Sequence, residues 1–191
     1  MTRPPWRVRL RRVRADDLAR MARIESDETL VGEHNWPGAP VDPDDREAEL
    51  RRRFVEDGMW STTAGRLVVE VDGEPVGEVS WRPEKWGPSE RSRCLAFGIS
   101  LLPDHRGKGY GTEAQRLLID HLFAATETHR VQSDTAVDNP AEQRSLEKAE
   151  MRREGIVRGA EHRRGAYHDH VLYGILRTDW EPLEDAPPIG G

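Results

Sequence analysis

The chain has 191 residues, with 29 Lys or Arg against 35 Asp or Glu and a net charge of −6, a balance that excludes a general binder of nucleic acid. Hydrophobic residues make up 36% and charged residues 34%, enough for one domain with a sizeable core under a densely charged surface and too little for two. The lone Cys94 excludes an intrachain disulfide and a thiolate-rich metal centre, and no apolar run has the length of a membrane span or signal peptide, so a cytoplasmic protein without metal or membrane partner is expected.

In chain order, Trp6, Val8 and Leu10 alternate with Arg7, Arg9 and Arg11, the period of a half-buried strand. Asp16 or Asp17 is placed to cap a helix that turns Leu18, Met21, Ala22 and Ile24 inward. Residues 28–42 contain Gly32, Pro37, Gly38 and Pro40 and cannot form a long regular element. A second helix starts at Asp42 or Asp44, carries Ala48, Leu50 or Arg51, Phe54 and Val55 at helical spacing, and ends near Gly58. The period then changes to two: 66–71 and 74–81 flank Asp72-Gly73, a tight hairpin signal. Residues 82–90, with two prolines, Gly87 and Trp86, read as a longer loop, and 92–101 as a strand.

Beyond a glycine-rich stretch, a helix is predicted over 112–128 with Leu117, Leu118, His121, Leu122 and Ala125 on one face, then a strand over 130–137. Asp138-Asn139-Pro140 opens a helix over about 141–149, and strands follow over about 152–161 and 168–177. Residues 181–191 are rich in proline, glycine and acid, so a domain over 1–180 and a flexible tail over 181–191 are expected.

The stretch that organises the rest runs from Leu101 to Ala114, where an apolar strand gives way to a glycine-rich turn and then a helix. The first N–H groups of a helix lack partners and its dipole favours an anion, so such a turn suits phosphate. The Walker spacing fails because Gly109 follows Lys108, and the dinucleotide fingerprint fails because glycine recurs at every second position. What fits is Arg-x-x-Gly-x-Gly, from Arg106 to Gly111.

At these residues the sequence resembles the GNAT superfamily of acyl-CoA-dependent N-acetyltransferases. Asn139-Pro140-Ala141, Leu146 to Ala149, Arg153-Glu154-Gly155 and Gly165 to Asp169 with Tyr173 look like its ribosomal-protein (RimJ/RimL-type) branch, and the likeness covers about residues 7–180. The resemblance implies an α/β (α+β) fold, a mixed twisted central sheet flanked by helices, and acetyl-CoA as co-substrate. It also implies that Leu101 and Leu102 bind pantetheine through their backbone, and that Arg106, Gly107, Lys108, Gly109, Tyr110, Gly111 and Thr112 hold the diphosphate. Asn139 would contact the cofactor, serve as the N-cap of its helix, or do both. Glu33, His34 and Trp36 lie in a loop that the fold would set over the acceptor.

Departures from the family pattern bear on catalysis. The position of the frequent tyrosine acid is Leu146, that of the branch's serine is Glu142, and that of a common strand acid is Ala96. Glu142 could donate a proton only if burial raised its pKa, and otherwise satisfies the helix dipole. Glu161 is the first candidate for general base, against a solvated strand-end carboxylate; Glu78 is the second, on a strand where alternation makes it either a cleft or a surface residue. His34 could also accept a proton, whereas His162, His168 and His170 with Asp169 lack the spacing of a metal site. Cys94 reads as a buried thiol, not a nucleophile.

The expected activity is direct acetyl transfer to a primary amine of a small molecule or a protein N-terminus. The alternative is a non-catalytic acyl-CoA-sensing module. Loop acids Glu28, Glu33, Glu84 and Glu90 lean towards a cationic acceptor, and a homodimer is left open.

Overall fold

Alternation at the start of the chain produces strand β1 (Val8–Arg12), with Val8 and Leu10 buried, in a computed structural model that describes residues 6–36 and 40–190. Helix α1 (Leu18–Glu25) buries Leu18, Met21 and Ala22. Asp17 does not cap it through the side chain; its carboxylate turns back to a buried bidentate pair with Arg11, at 2.6 and 2.8 Å, and accepts the Arg14 N–H. A single turn, α2 (Glu28–Val31), lies in the segment expected to lack long regular structure; Pro37 and Gly38 of that segment fall outside the described residues.

Helix α3 (Pro43–Asp57) is bounded by chemistry visible in the sequence. The Asp42 carboxylate accepts the Asp44 N–H, Pro43 takes the first turn, and Gly58 at φ 65° closes it. Its inward stripe is Leu50 with Phe54 beside it, while Val55 is 83% exposed, a correction of the predicted face.

Strands β2 (Gly65–Val71) and β3 (Glu74–Lys85) are joined at Asp72 and Gly73, both at positive φ as a two-residue hairpin of this type demands. β3 runs past its predicted end, and Arg82–Lys85 pair with β4 (Arg93–Leu101), so half of the expected loop is strand. Pro83 is tolerated there because β2 stops opposite Trp81, leaving that side of β3 unpaired. Helix α4 (Tyr110–Ala125), strand β5 (Arg130–Ala136), helix α5 (Pro140–Lys148) and strands β6 (Arg152–Arg163) and β7 (Ala166–Leu176) complete the order. α4 buries Leu117, Leu118 and Leu122 as expected, but Ala125 is exposed and His121 packs on the rings of Trp60 and Trp81.

The described residues form a seven-stranded sheet in the order β1-β2-β3-β4-β5-β7-β6, a mixed sheet of the expected α/β kind. Leu67 and Val79 pack into a core with α4, while their neighbours Val68 and Glu78 face the side of α1 and α3. All neighbours are antiparallel except β4 and β5, which run parallel and meet only at Leu95–Val131 and Ala96–Gln132. Past that point they diverge, with the Ser133 hydroxyl donating to the Phe97 carbonyl at 2.9 Å.

The segment after Trp180, expected to be flexible, is docked as far as it is described. Leu183, Ala186 and Ile189 pack on the core, Leu183 N–H donates to Asp120, and Gly190 bonds the main chain of Leu10 and Arg12 along β1. Three spaced apolar side chains decide this against the proline-rich composition. Among the described residues, no helix is long and apolar enough to cross a membrane.

Candidate active site

The divergence of β4 from β5 opens a cleft of about 480 Å³ at the N-terminus of α4. Gly107 at φ 72° and Gly109 at φ 87° make the turn that brings the chain from β4 into that helix, a conformation other residues adopt at a cost. Among the described residues, no main-chain carbonyl accepts the N–H groups of Gly107 to Thr112. A Cβ at Gly107 would meet nothing within 4 Å. A row of free donors at a helix start, with open space in front, fits an anionic diphosphate.

The opposite wall is α5. Asn139 caps it, its Oδ1 accepting the Glu142 N–H at 3.3 Å while its Nδ2 donates to Thr135 at 3.1 Å. A hydrogen-bond chain crosses the cleft floor: Thr112 and Ser145 hydroxyls stand 3.0 Å apart, Ser145 donates to Gln115 Oε1 at 3.0 Å, and Gln115 Nε2 donates to Glu142. Burial pushes the Glu142 carboxyl up to about 7, opposed only in part by the Gln115 bond. The condition under which this residue could donate a proton is therefore met.

Of the expected cofactor residues, Leu101, Arg106, Gly107, Gly109, Gly111, Thr112 and Asn139 line the cleft. Leu102, Lys108 and Tyr110 do not. The Leu102 N–H bonds the Val76 carbonyl, the Lys108 carbonyl accepts from Arg7, and the Tyr110 ring lies under the Arg7 guanidinium at 5.0 Å.

A strap over residues 28–35 roofs the cleft. Glu33 and His34, expected over the acceptor, line the same cleft as the glycine turn. His34 Nδ1 stands 3.7 Å from Asp138, and Glu28 pairs with Arg164. Trp36 lines neither this cleft nor the cavity behind it.

That second cavity, of about 420 Å³, shares Val31, Asn35 and Ile99 with the first. Three carboxylates, Glu25, Glu49 and Glu78, and two guanidiniums, Arg46 and Arg66, face it. Arg46 bonds Glu25 and Glu49, and Arg66 bonds Glu25 and, at 3.2 Å, Glu78. Burial raises the pKa of Glu78 despite the opposing charge of Arg66. Sequence reasoning singled out Glu78 and missed the other four, because nothing local distinguishes a charged helix residue facing a cavity from one facing water.

Glu161 lines neither cavity. Its Oε2 accepts from Arg163 Nε at 3.1 Å and stands 3.2 Å from His170 Nε2, and the other ring nitrogen of His170 lies 2.6 Å from Asp134. His162 packs on Tyr167, and His168 Nε2 stands 3.3 Å from the Arg163 carbonyl. Leu146 is fully buried, and Ala96 sits at the last closed rung between β4 and β5. Cys94 is buried beside Gln132, and burial pushes its thiol up, which suits an inert side chain.

A family model described as acetyltransferase (GNAT) domain matches residues 7–152. "Probable N-acetyltransferase YjcK" of Bacillus subtilis is 39% identical over 44% of this chain, and the chain spans 47%, about half, of that relative's length. "Putative ribosomal N-acetyltransferase YdaF" of the same organism is 32% identical over 70% of the chain and 68% of its own length. Among solved structures, RimJ of Mycobacterium smegmatis in complex with CoA-disulfide superposes with a TM-score of 0.70 at 25% identity, over 90% of this chain and 82% of that one. A spermidine N-acetyltransferase of Vibrio cholerae, solved with CoA and spermine, gives 0.71 at 22% identity over 91% and 97%, a likeness of fold.

Proposed function

The chain belongs to the acetyltransferase (GNAT) domain family, in its RimJ-like part, whose members use acetyl-CoA, and from that premise we propose that it transfers the acetyl group directly to a primary amine. One observation carries the proposal: a cleft fit for a diphosphate and a charged cavity meet at Val31, Asn35 and Ile99, each with a carboxyl whose pKa burial has raised.

Acetyl-CoA supplies the thioester carbonyl that an amine attacks. The free N–H groups of Gly107 to Thr112 bind and orient the diphosphate at the start of α4. In the second cavity Glu78 takes a proton from the incoming ammonium and passes it to solvent, then takes the second proton that the nitrogen loses as the amide forms, its raised pKa bringing it towards working pH. Glu142 holds a proton near neutrality and releases it into the donor cleft, where thiolate charge develops. Engaged by Arg163 beyond both cavities, Glu161 is less suited to be the base than Glu78.

The cavity also favours an acceptor class. Its three carboxylates against two guanidiniums leave one excess negative charge, enough for one ammonium, and a second would be repelled by Arg46 and Arg66. Among the described residues, Arg66 makes its contacts through Nη1, leaving other N–H groups for a carbonyl or carboxylate beside the amine. An N-terminal α-amine or a small molecule with one ammonium next to a hydrogen-bond acceptor fits. The loop acids Glu28, Glu33, Glu84 and Glu90 do not line this cavity.

Gly111→Glu tests the donor site. Gly111 lines the cleft within the first turn of α4, and a Cβ there meets no atom closer than 3.6 Å, so the backbone accepts a side chain whose carboxylate would block and repel the diphosphate. Acetyl-CoA at a hundred times its dissociation constant should stabilise wild type by about 2.7 kcal/mol in a thermal melt, and the variant should lose that gain. Glu78→Gln should lower kcat/KM by about 10² to 10⁴ while retaining the thermal response. No response in wild type ends the reading; a response with no turnover across single-ammonium amines leaves the acyl-CoA sensor.

A further inference from the structure

The first residue of the glycine-loop motif does not face the cleft as a free cation. Arg106 Nε donates to the Leu101 carbonyl at 2.8 Å and Nη2 donates to the Leu30 carbonyl at 2.7 Å. The same guanidinium lies flat against Gly32: a Cβ built there would stand 2.9 Å from Nη1 and 3.1 Å from Nη2, and Gly32 has φ 86°. Among the described residues no carboxylate pairs with Arg106, and burial lowers its pKa. Two carbonyls and a bare Cα therefore hold it in one orientation.

Leu30 and Gly32 belong to the strap, whose neighbours Val31 and Asn35 line both cavities; Asn35 Nδ2 reaches the Ile99 carbonyl at 3.4 Å. Apart from Arg106 and the Asn35 amide, the strap is tied to the rest of the fold through the Glu28–Arg164 pair. Arg106 holds the strap at Leu30 and Gly32, the two residues that flank Val31 of the shared wall.

We propose that Arg106 is a positioning residue that anchors the 28–35 strap, and with it the wall between the two cavities, and is not a ligand of the diphosphate. The function of that wall rests on the donor and acceptor reading above; the anchoring does not. Gly32 is then required for a second reason besides its backbone conformation, since any side chain would displace the guanidinium.

The deciding comparison is Arg106→Lys with Arg106→Ala in the full chain, because lysine keeps the charge but cannot bridge two carbonyls and lie on Gly32. Hydrogen exchange of the ligand-free protein reads the strap through the Leu30, Val31, Gly32 and Asn35 amides, which bond within it or to Asp27. Both variants should speed exchange there by about tenfold or more, the loss expected for hydrogen bonds from a charged donor, and Gly32→Ala should do the same. CoA affinity by calorimetry should change less than about threefold in either. With alanine amide as acceptor, KM should rise about tenfold with kcat nearly unchanged. Exchange unaltered at the strap, or a lysine variant like wild type while alanine loses about tenfold in CoA affinity, overturns the proposal. A wild type that neither binds CoA nor acetylates alanine amide would count against the acetyltransferase reading, and the exchange data would still decide the anchoring.

Discussion

Replacing Glu142 by Gln should stabilise the protein, and increasingly so as pH rises. The carboxyl titrates at about 7 in the fold against 4.5 for an ordinary glutamate, because it is desolvated beside Gln115. A group whose pKa is raised on folding binds its proton more tightly in the native state, so its effect on stability is absent below about pH 4.5, grows as a penalty between there and 7, and is complete above about 7. Holding the ionised carboxylate in the fold therefore costs roughly 3 kcal/mol at pH 8. Glutamine keeps an oxygen to accept the Gln115 bond and carries no charge to desolvate, so it mimics the protonated acid at every pH. For a chain of this size the expected gap in Tm between variant and wild type is about 6 to 12 °C at pH 8, closing towards pH 5. Thermal melts of both proteins across that range measure it. A gap independent of pH, or one that widens towards acid, would refute the argument and with it the assignment of Glu142 as a proton donor near neutrality. In turnover the same substitution should lower kcat, the stabilised protein being the slower enzyme.

Asp17→Asn should cost about 3 to 5 kcal/mol in denaturant unfolding, since it leaves the buried Arg11 guanidinium without half of its bidentate partner. Against the opposing effect of burial, the Arg11 bonds hold the Asp17 carboxyl below its ordinary value, so that contribution is present above about pH 4 and lost on further acidification; the variant should lack this acid-dependent loss. Removing residues 181–191 should lower Tm by several degrees, because it uncovers the core beneath Leu183 and Ile189 and frees the edge of β1. An unchanged melt would mean that the docked tail contributes nothing net.

Local chemistry made much of the fold legible. Asp72-Gly73 has one low-cost use between two alternating runs, Asp42-Pro43 and Gly58 bracket a helix by their capping geometry, and Asn139-Pro140 starts another. The donor loop was legible for the same reason, since free N–H groups and missing Cβ atoms follow from the order of residues. The cavity proposed for the acceptor was not. Glu25, Arg46, Glu49 and Arg66 come from α1, α3 and β2, and only packing turns them towards one another. Val55 and Ala125 show the converse failure, sitting at helical spacing with no partner to cover them. Glu161 illustrates a third limit: its place at a strand end said nothing about Arg163 and His170, which hold its carboxylate.

The seam between β4 and β5 has a mechanical consequence. Four strands lie on one side of it and three on the other, each set laced by long antiparallel ladders, while among the described residues the seam itself is closed by Leu95–Val131, Ala96–Gln132, the Ser133 hydroxyl and the bonds of Trp86 and Cys94 to Gln132. Main-chain bonding between the halves is thinnest at this seam, which makes it the geometric axle about which the two sets of strands would turn with the fewest rungs disturbed. Small rotations at that axle become larger changes in width at the open end, near Leu101 and Ala136, without breaking a rung in either set.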